Sequence, residues 1–161
     1  MSTEERFQDN GDGTLTDTKF NMMWMKEDSY QRNGKWRSWK KANKFVARLN
    51  EKKFAGYSDW RLPSSKDNRN LYDHDQKNTD HTGDIVHIDL KFPEGCGFTY
   101  WCSEEKGINA MAYNFYSDRA YLIRKSTSDD SCMSCRAVRT TGPAPKRANR
   151  VSATGRSRRE A

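Results

Sequence analysis

Four short phrases limit what this chain can fold into: RFQDNGDGTLTD at residues 6–17, GYSDWRLP at 56–63, TYWCS at 99–103 and CRAVR at 135–139. Each sets apolar side chains beside residues that turn or pair a chain, which predicts short strands and tight reversals rather than long helices. In the first, Gly11 and Gly13 are free to take positive φ between two strands that turn Phe7 and Leu15 inward. In the second, Gly56 turns the chain, Trp60 is buried, Asp59 and Arg61 satisfy backbone groups near the reversal, and Pro63 ends it. TYWCS predicts a central strand with Trp101 inside. CRAVR predicts a closing strand whose arginines flank Ala137 and Val138 on a sheet with one wet face.

Between these phrases the period changes twice. Asn21 to Met25, NMMWM, is an apolar strand with Trp24 in the core, but Trp39, Ala42, Phe45, Val46 and Leu49 recur at three- and four-residue steps. That spacing predicts an amphipathic helix over 38–50, capped by Ser38, with its lysines and arginine on a solvated outer face. Ser64 and Asp67 form an S-x-x-D start to a second helix reaching about Asp73, and AMAYNFYSDRAY at 110–121 predicts two strands joined near Ser117 and Asp118. The expected fold is α+β: a mainly antiparallel, twisted sheet with two helices. Only 34% of residues are hydrophobic and the mean hydropathy is −1.13, yet there are 5 Trp, 7 Tyr and 7 Phe, so the core has to be small and aromatic.

A chain of 161 residues suits one domain, placed at 1–139, with a basic low-complexity tail at 140–161. The formal charge of +7 belongs mainly to that tail, where Lys146, Arg147, Arg150, Arg156, Arg158 and Arg159 face a single acid, Glu160, leaving +2 for the domain. Too poor in apolar residues to build a core, the tail is expected to lie along a protein partner in a larger assembly; nonspecific nucleic-acid binding through it is disfavoured. No stretch is long and apolar enough to span a bilayer, and residues 1–7 lack the apolar segment of a secretory signal, so a cytoplasmic location is expected.

Taken together, the four phrases resemble the C-terminal domain family of the Legionella collagen-like protein, Lcl. The resemblance implies a C-type-lectin-like fold related to that of the formylglycine-generating enzyme, in which Asp9, Asp12, Trp24, Asp59, Trp60, Arg61 and Trp101 are structural signature positions. It implies a binding module. It also raises cell-surface or exported location as the alternative, and binding of acidic polysaccharide as the alternative to protein docking. For that ligand the candidate residues are Trp36, Tyr113 and Tyr116, to stack on sugar rings, with Arg119 and Arg124 to pair with sulfate or carboxylate.

Chemistry beyond binding has few candidates. Cys96, Cys102, Cys132 and Cys135 give C-x5-C and C-x2-C spacings, open to reduced structural thiols, a four-thiolate zinc site, or disulfide and redox chemistry. The family pattern of one cysteine in the first helix and one in the last strand would fall near Val46 and Ala137, and both are absent. Asp9, Asn10, Asp12 and Asp17 are rich in oxygen, but no closing Glu follows, so an Asx-stabilised hairpin is favoured over calcium. His74, His81 and His87 lack the spacing that fixes two ligands on one face. No nucleophile and base are matched in the sequence, so the chain is expected not to be an enzyme; the formylglycine-generating type, thiol- or metal-dependent, is the catalytic alternative.

Overall fold

A computed structural model describes residues 5–141. Strands β1 (Phe7–Asp9), β2 (Thr14–Asp17) and β3 (Met22–Met25) form an antiparallel meander. The closing strand β10 (Val138–Thr140) pairs antiparallel with β3 to complete a four-stranded sheet. A second four-stranded sheet has the order β8-β7-β6-β9, from β6 (Thr99–Lys106), β7 (Asn109–Asn114), β8 (Arg119–Arg124) and β9 (Met133–Ser134), with β9 parallel to β6. A two-stranded ladder, β4 (Asn78–Thr79) with β5 (Ile85–Val86), completes the strands.

The expected α+β class is observed; among the described residues there are several sheets where the sequence suggests one, and three α-helices where it suggests two. Both expected helices are present: α2 (Trp39–Glu51), capped by Ser38, and α3 (Ser65–Leu71), where Ser64 and Asp67 form a reciprocal capping box. The additional α1 (Ser29–Asn33) begins at a second capping box, Asp28 with Gln31, and ends where Gly34 takes φ 72°. The first hairpin is closed by its own polar side chains: Asp9 accepts from the Gly11 amide, and Asp12 accepts from the amide and hydroxyl of Thr14.

The core occupies both faces of the central strands. Met22 and Trp24 pack with Phe7, Leu15, Tyr100 and Phe115 on one side, while Met23 and Met25 pack with Val46, Leu49, Trp60 and Trp101 on the other. Alternate residues of a strand point to opposite faces, so burial on both sides demands the continuous apolar run MMWM rather than polar alternation. On the second face, α2 contributes Ala42, Val46 and Leu49, leaving its basic face outside.

The structure corrects the expected half-wet face of CRAVR. Arg136 is 2% exposed and lies inside the molecule. Its guanidinium donates to the carbonyls of Met25 and Lys26 and to the Tyr100 hydroxyl (3.3 Å), and it stacks 4.7 Å from the Phe92 ring centroid. The Tyr100 hydroxyl in turn donates to Asp28 Oδ2 at 2.6 Å, which also accepts from the Gly97 amide at 2.8 Å. A buried anion and a buried cation are thereby joined through one phenol.

Removing one member of such a network leaves the other charge uncompensated, which costs about 3–5 kcal/mol. Arg136→Met is therefore expected to lower the unfolding free energy by that order in a denaturant titration. Asp28→Asn in the same background should cost less than the sum of the two single substitutions, the signature of a coupled pair.

Candidate functional site

A groove of about 870 Å³ runs between α2 and the segment that precedes it. Local chain geometry makes both walls. Gly34 stops α1, and the Arg37 amide then donates to the Met133 carbonyl at 2.8 Å while the Trp101 indole donates to the Arg37 carbonyl at 2.8 Å. These bonds hold residues 34–37 against the second sheet before Ser38 starts α2. Beyond α2, Lys53 (φ 51°) and Ala55 (φ 56°) reverse the chain, and Phe54 returns to the floor of the groove.

Eight cationic side chains line this groove: Arg32, Lys35, Arg37, Lys41, Lys44, Arg48, Lys52 and Lys53. Among the described residues no carboxylate does. Among the described residues only Arg32 of the eight is ion-paired, with Glu27 at 3.8 Å. Trp36, Phe45 and Phe54 supply the apolar lining. Two of the arginines lie over these rings, with Arg32 and Arg37 each 5.0 Å from the centroids of Phe54 and Phe45 respectively. Each guanidinium has one edge engaged within the protein, Arg32 with Glu27 and Arg37 Nη2 with Asn33 Oδ1 at 2.6 Å, and being held on a ring face it loses little rotamer freedom when its other N–H groups meet an anion. The groove can thus hold several negative charges in a row.

The residues expected from sequence to meet a sugar are not gathered at one place. Trp36 lines the groove, stacked on Tyr30 with centroids 3.8 Å apart and packed edge-on with His81 at 4.7 Å. Tyr113 is fully buried and its hydroxyl donates to Asp118; burial and that carboxylate push its pKa well up. Tyr116 stacks on Phe98 at 4.4 Å and donates to Asp80. Burial opposes ionisation of Asp80, but hydrogen bonds from Tyr116 and Thr82 outweigh it and lower the pKa. Arg119 and Arg124 stand exposed at opposite ends of β8. The tail cations Lys146, Arg147, Arg150, Arg156, Arg158 and Arg159 lie outside the described residues.

The signature residues act as ties. Trp24, Trp60 and Trp101 are in the core. Asp59 is held to Arg139 at 2.6 Å rather than to Arg61, and that bond lowers its pKa. Arg61 pairs with Asp67 at 2.8 Å and joins the 56–63 phrase to α3. The four cysteines are dispersed: Cys96 and Cys102 belong to one face of the core, Cys135 to the other, and Cys132 occupies a left-handed turn position at φ 52°. Among the described residues no three His, Cys, Asp or Glu side chains are grouped to hold a metal ion. Burial pushes the thiols of Cys96 up to about 11 and of Cys102 and Cys135 up to about 12.

The lysines of α2, expected on a solvated face, line this groove, together with Arg32, Lys35 and Arg37, which no sequence pattern marks. The recurrence of Lys41, Lys44, Arg48 and Lys52 at three- and four-residue steps was visible, but the opposite wall depends on a fold-back that no local pattern announces.

A family model described as the Lcl C-terminal domain matches residues 13–139, well over half of the chain, and no curated protein matches it. Among the described residues no helix is long and apolar enough to cross a membrane.

Thiol accessibility offers a direct check on this geometry. Alkylation of the native protein at mildly alkaline pH is expected to modify Cys132, the one half-exposed cysteine, well before the three buried thiols, and peptide mapping reads the order. Fast labelling of Cys102 or Cys135 would contradict their burial.

Proposed function

Because the chain belongs to the Lcl C-terminal domain family, we propose that it is a noncatalytic binding module that holds an acidic polysaccharide along the groove beside α2. The single observation that carries this reading is the lining itself: eight cations, no carboxylate, and three aromatic side chains on one concave surface. An extended polyanion meets such a surface with many weak contacts, each exposed pair contributing on the order of 0.2–1 kcal/mol, so affinity comes from their number and falls with salt. The α+β architecture, with helices packed against antiparallel sheets, accords with the C-type-lectin-like fold that the family resemblance implies.

A noncatalytic role is supported by the cysteines. A thiol nucleophile needs a lowered pKa and access to solvent. Cys96, Cys102 and Cys135 are buried with raised pKa, the reverse of that condition. No thiol-dependent step is assigned to them.

Two variants separate the groove from the tail. A chain ending at Thr141 is expected to keep its affinity for polygalacturonate or heparin in isothermal titration. Lys44→Glu with Arg48→Glu, both exposed on α2, is expected to weaken binding by roughly 2 kcal/mol, or about 30-fold. Loss of binding with the tail and none with the groove variant would overturn the proposal and favour a tail-anchored assembly subunit. Tighter capture of a single-stranded oligonucleotide than of any polysaccharide would also overturn it.

A further inference from the structure

The groove does more than collect positive charge, because the cations of one wall are ruled by a helix. Lys41, Lys44, Arg48 and Lys52 are separated by three, four and four residues, and all four are exposed and line the groove. At 100° per residue these steps keep the four side chains within one stripe. At 1.5 Å per residue they stand about 4.5 to 6 Å apart along the axis. Phe45 and Leu49 lie along the inner edge of the stripe, and the ring-held Arg32 and Arg37 belong to the same groove. The stripe starts in the first turn of α2 and ends at its C-cap, Lys52.

We infer that the groove reads the spacing of charge along its ligand, selecting a linear polysaccharide with an anionic group on every sugar unit and its axis along α2. This rests on the polysaccharide reading above. The pitch of the stripe is comparable to the advance of one pyranose along an extended chain. A polymer charged on each unit offers one anion per step of the stripe, and because neighbouring units turn about the chain axis, the long lysine and arginine side chains reach around it to the anions that face away, as do Arg32, Lys35 and Arg37 from elsewhere in the groove. A polymer charged on every second unit leaves alternate cations of the stripe unpaired and has to expose the rest of its charge elsewhere. Lysine and arginine side chains are long enough to absorb small mismatches, but each adjustment costs rotamer freedom on a side chain that has much to lose. Sulfate esters and carboxylates satisfy the spacing alike.

Relocating charge, rather than removing it, isolates spacing from net charge. Asn43 and Ala47 are exposed on another face of α2, and Ala47 borders a separate surface hollow with Trp39 and Glu105. The variant N43K/K44A/A47K/R48A keeps the net charge and the helix-forming character of α2 but breaks the stripe. Three probes matched for total charge are compared in isothermal titration with the full chain: polygalacturonate oligomers, with one carboxylate per sugar; dextran sulfate oligomers, with one sulfate per sugar; and hyaluronan oligomers, with one carboxylate per two sugars.

The wild-type protein is expected to bind at least one of the two fully charged oligomers about tenfold more tightly than hyaluronan, and the relocated variant to bring that preference within about twofold. Which of the two is preferred identifies carboxylate or sulfate as the source of the charge, and either result supports the spacing rule. Equal affinity for hyaluronan in the wild type, or an undiminished preference in the relocated variant with an unchanged melting temperature, would overturn the rule while leaving an acidic-polysaccharide groove in place. Failure of the wild type to bind any of the three removes the polysaccharide reading and the rule with it.

Discussion

The hydrogen-bonded chain from Arg136 through Tyr100 to Asp28 is the constraint on which the remaining architecture depends. Arg136 lies between β9 and β10, Tyr100 is on β6, and Asp28 caps α1, so three residues connect the two four-stranded sheets and the first helix. In a domain with few aliphatic residues, a polar link at this position fixes relative placement where packing alone would leave alternatives open. A long-lived buried charge is tolerated only if its partners are complete. Here Asp28 accepts from Gln31, Gly97 and Tyr100, and Arg136 reaches two carbonyls and a phenol. The same Gln31 donates to the carbonyls of Pro93 and Glu94, which extends the link to the loop before β6.

The groove follows from that link. Asp28 sets the start of α1 and Gly34 sets its end, so Arg32 and the segment through Arg37 are delivered to a fixed wall. The opposite wall is the outer face of α2, whose inner face is committed to the core by Ala42, Val46 and Leu49. Because a helix that buries three small apolar residues exposes most of its circumference, its long basic side chains remain at the rim. There they can cover apolar surface with their stems while the charged ends stay in water. Phe54 is brought over by two non-glycine residues in left-handed conformation, Lys53 and Ala55, a costly local geometry that the surrounding contacts must maintain.

Much of the fold was legible because its local signals agree with its tertiary roles. Ser38 and Ser64 are caps in sequence and in structure, Trp24, Trp60 and Trp101 are buried, and the strands around Ser117 and Asp118 pair as their alternation suggests. The misreadings arise where a residue type departs from its usual environment. Arginine is rarely buried, so CRAVR reads as a strand with one wet face, and nothing in it reveals that Met25, Lys26 and Tyr100 await Arg136. The helix α1 is only five residues long, too short to show a period, and its D-x-x-Q capping box was the one available sign. Tyr113 and Tyr116 are aromatic residues with hydroxyls directed to Asp118 and Asp80, and sequence alone does not distinguish such inward-facing rings from sugar platforms.

Net charge conceals the basic groove for a related reason. A domain carrying only +2 overall has little net attraction for a polyanion, yet eight cations share one groove, so the rest of the domain holds more acid than base. Within the screening length of physiological salt, about 8 Å, a ligand segment in the groove experiences the local cluster far more than the domain's net charge. At longer range and lower salt the net acidity of the rest of the domain helps turn the groove toward an approaching polyanion. A local cluster of this kind therefore favours one binding orientation, which a uniformly basic domain of higher net charge would not.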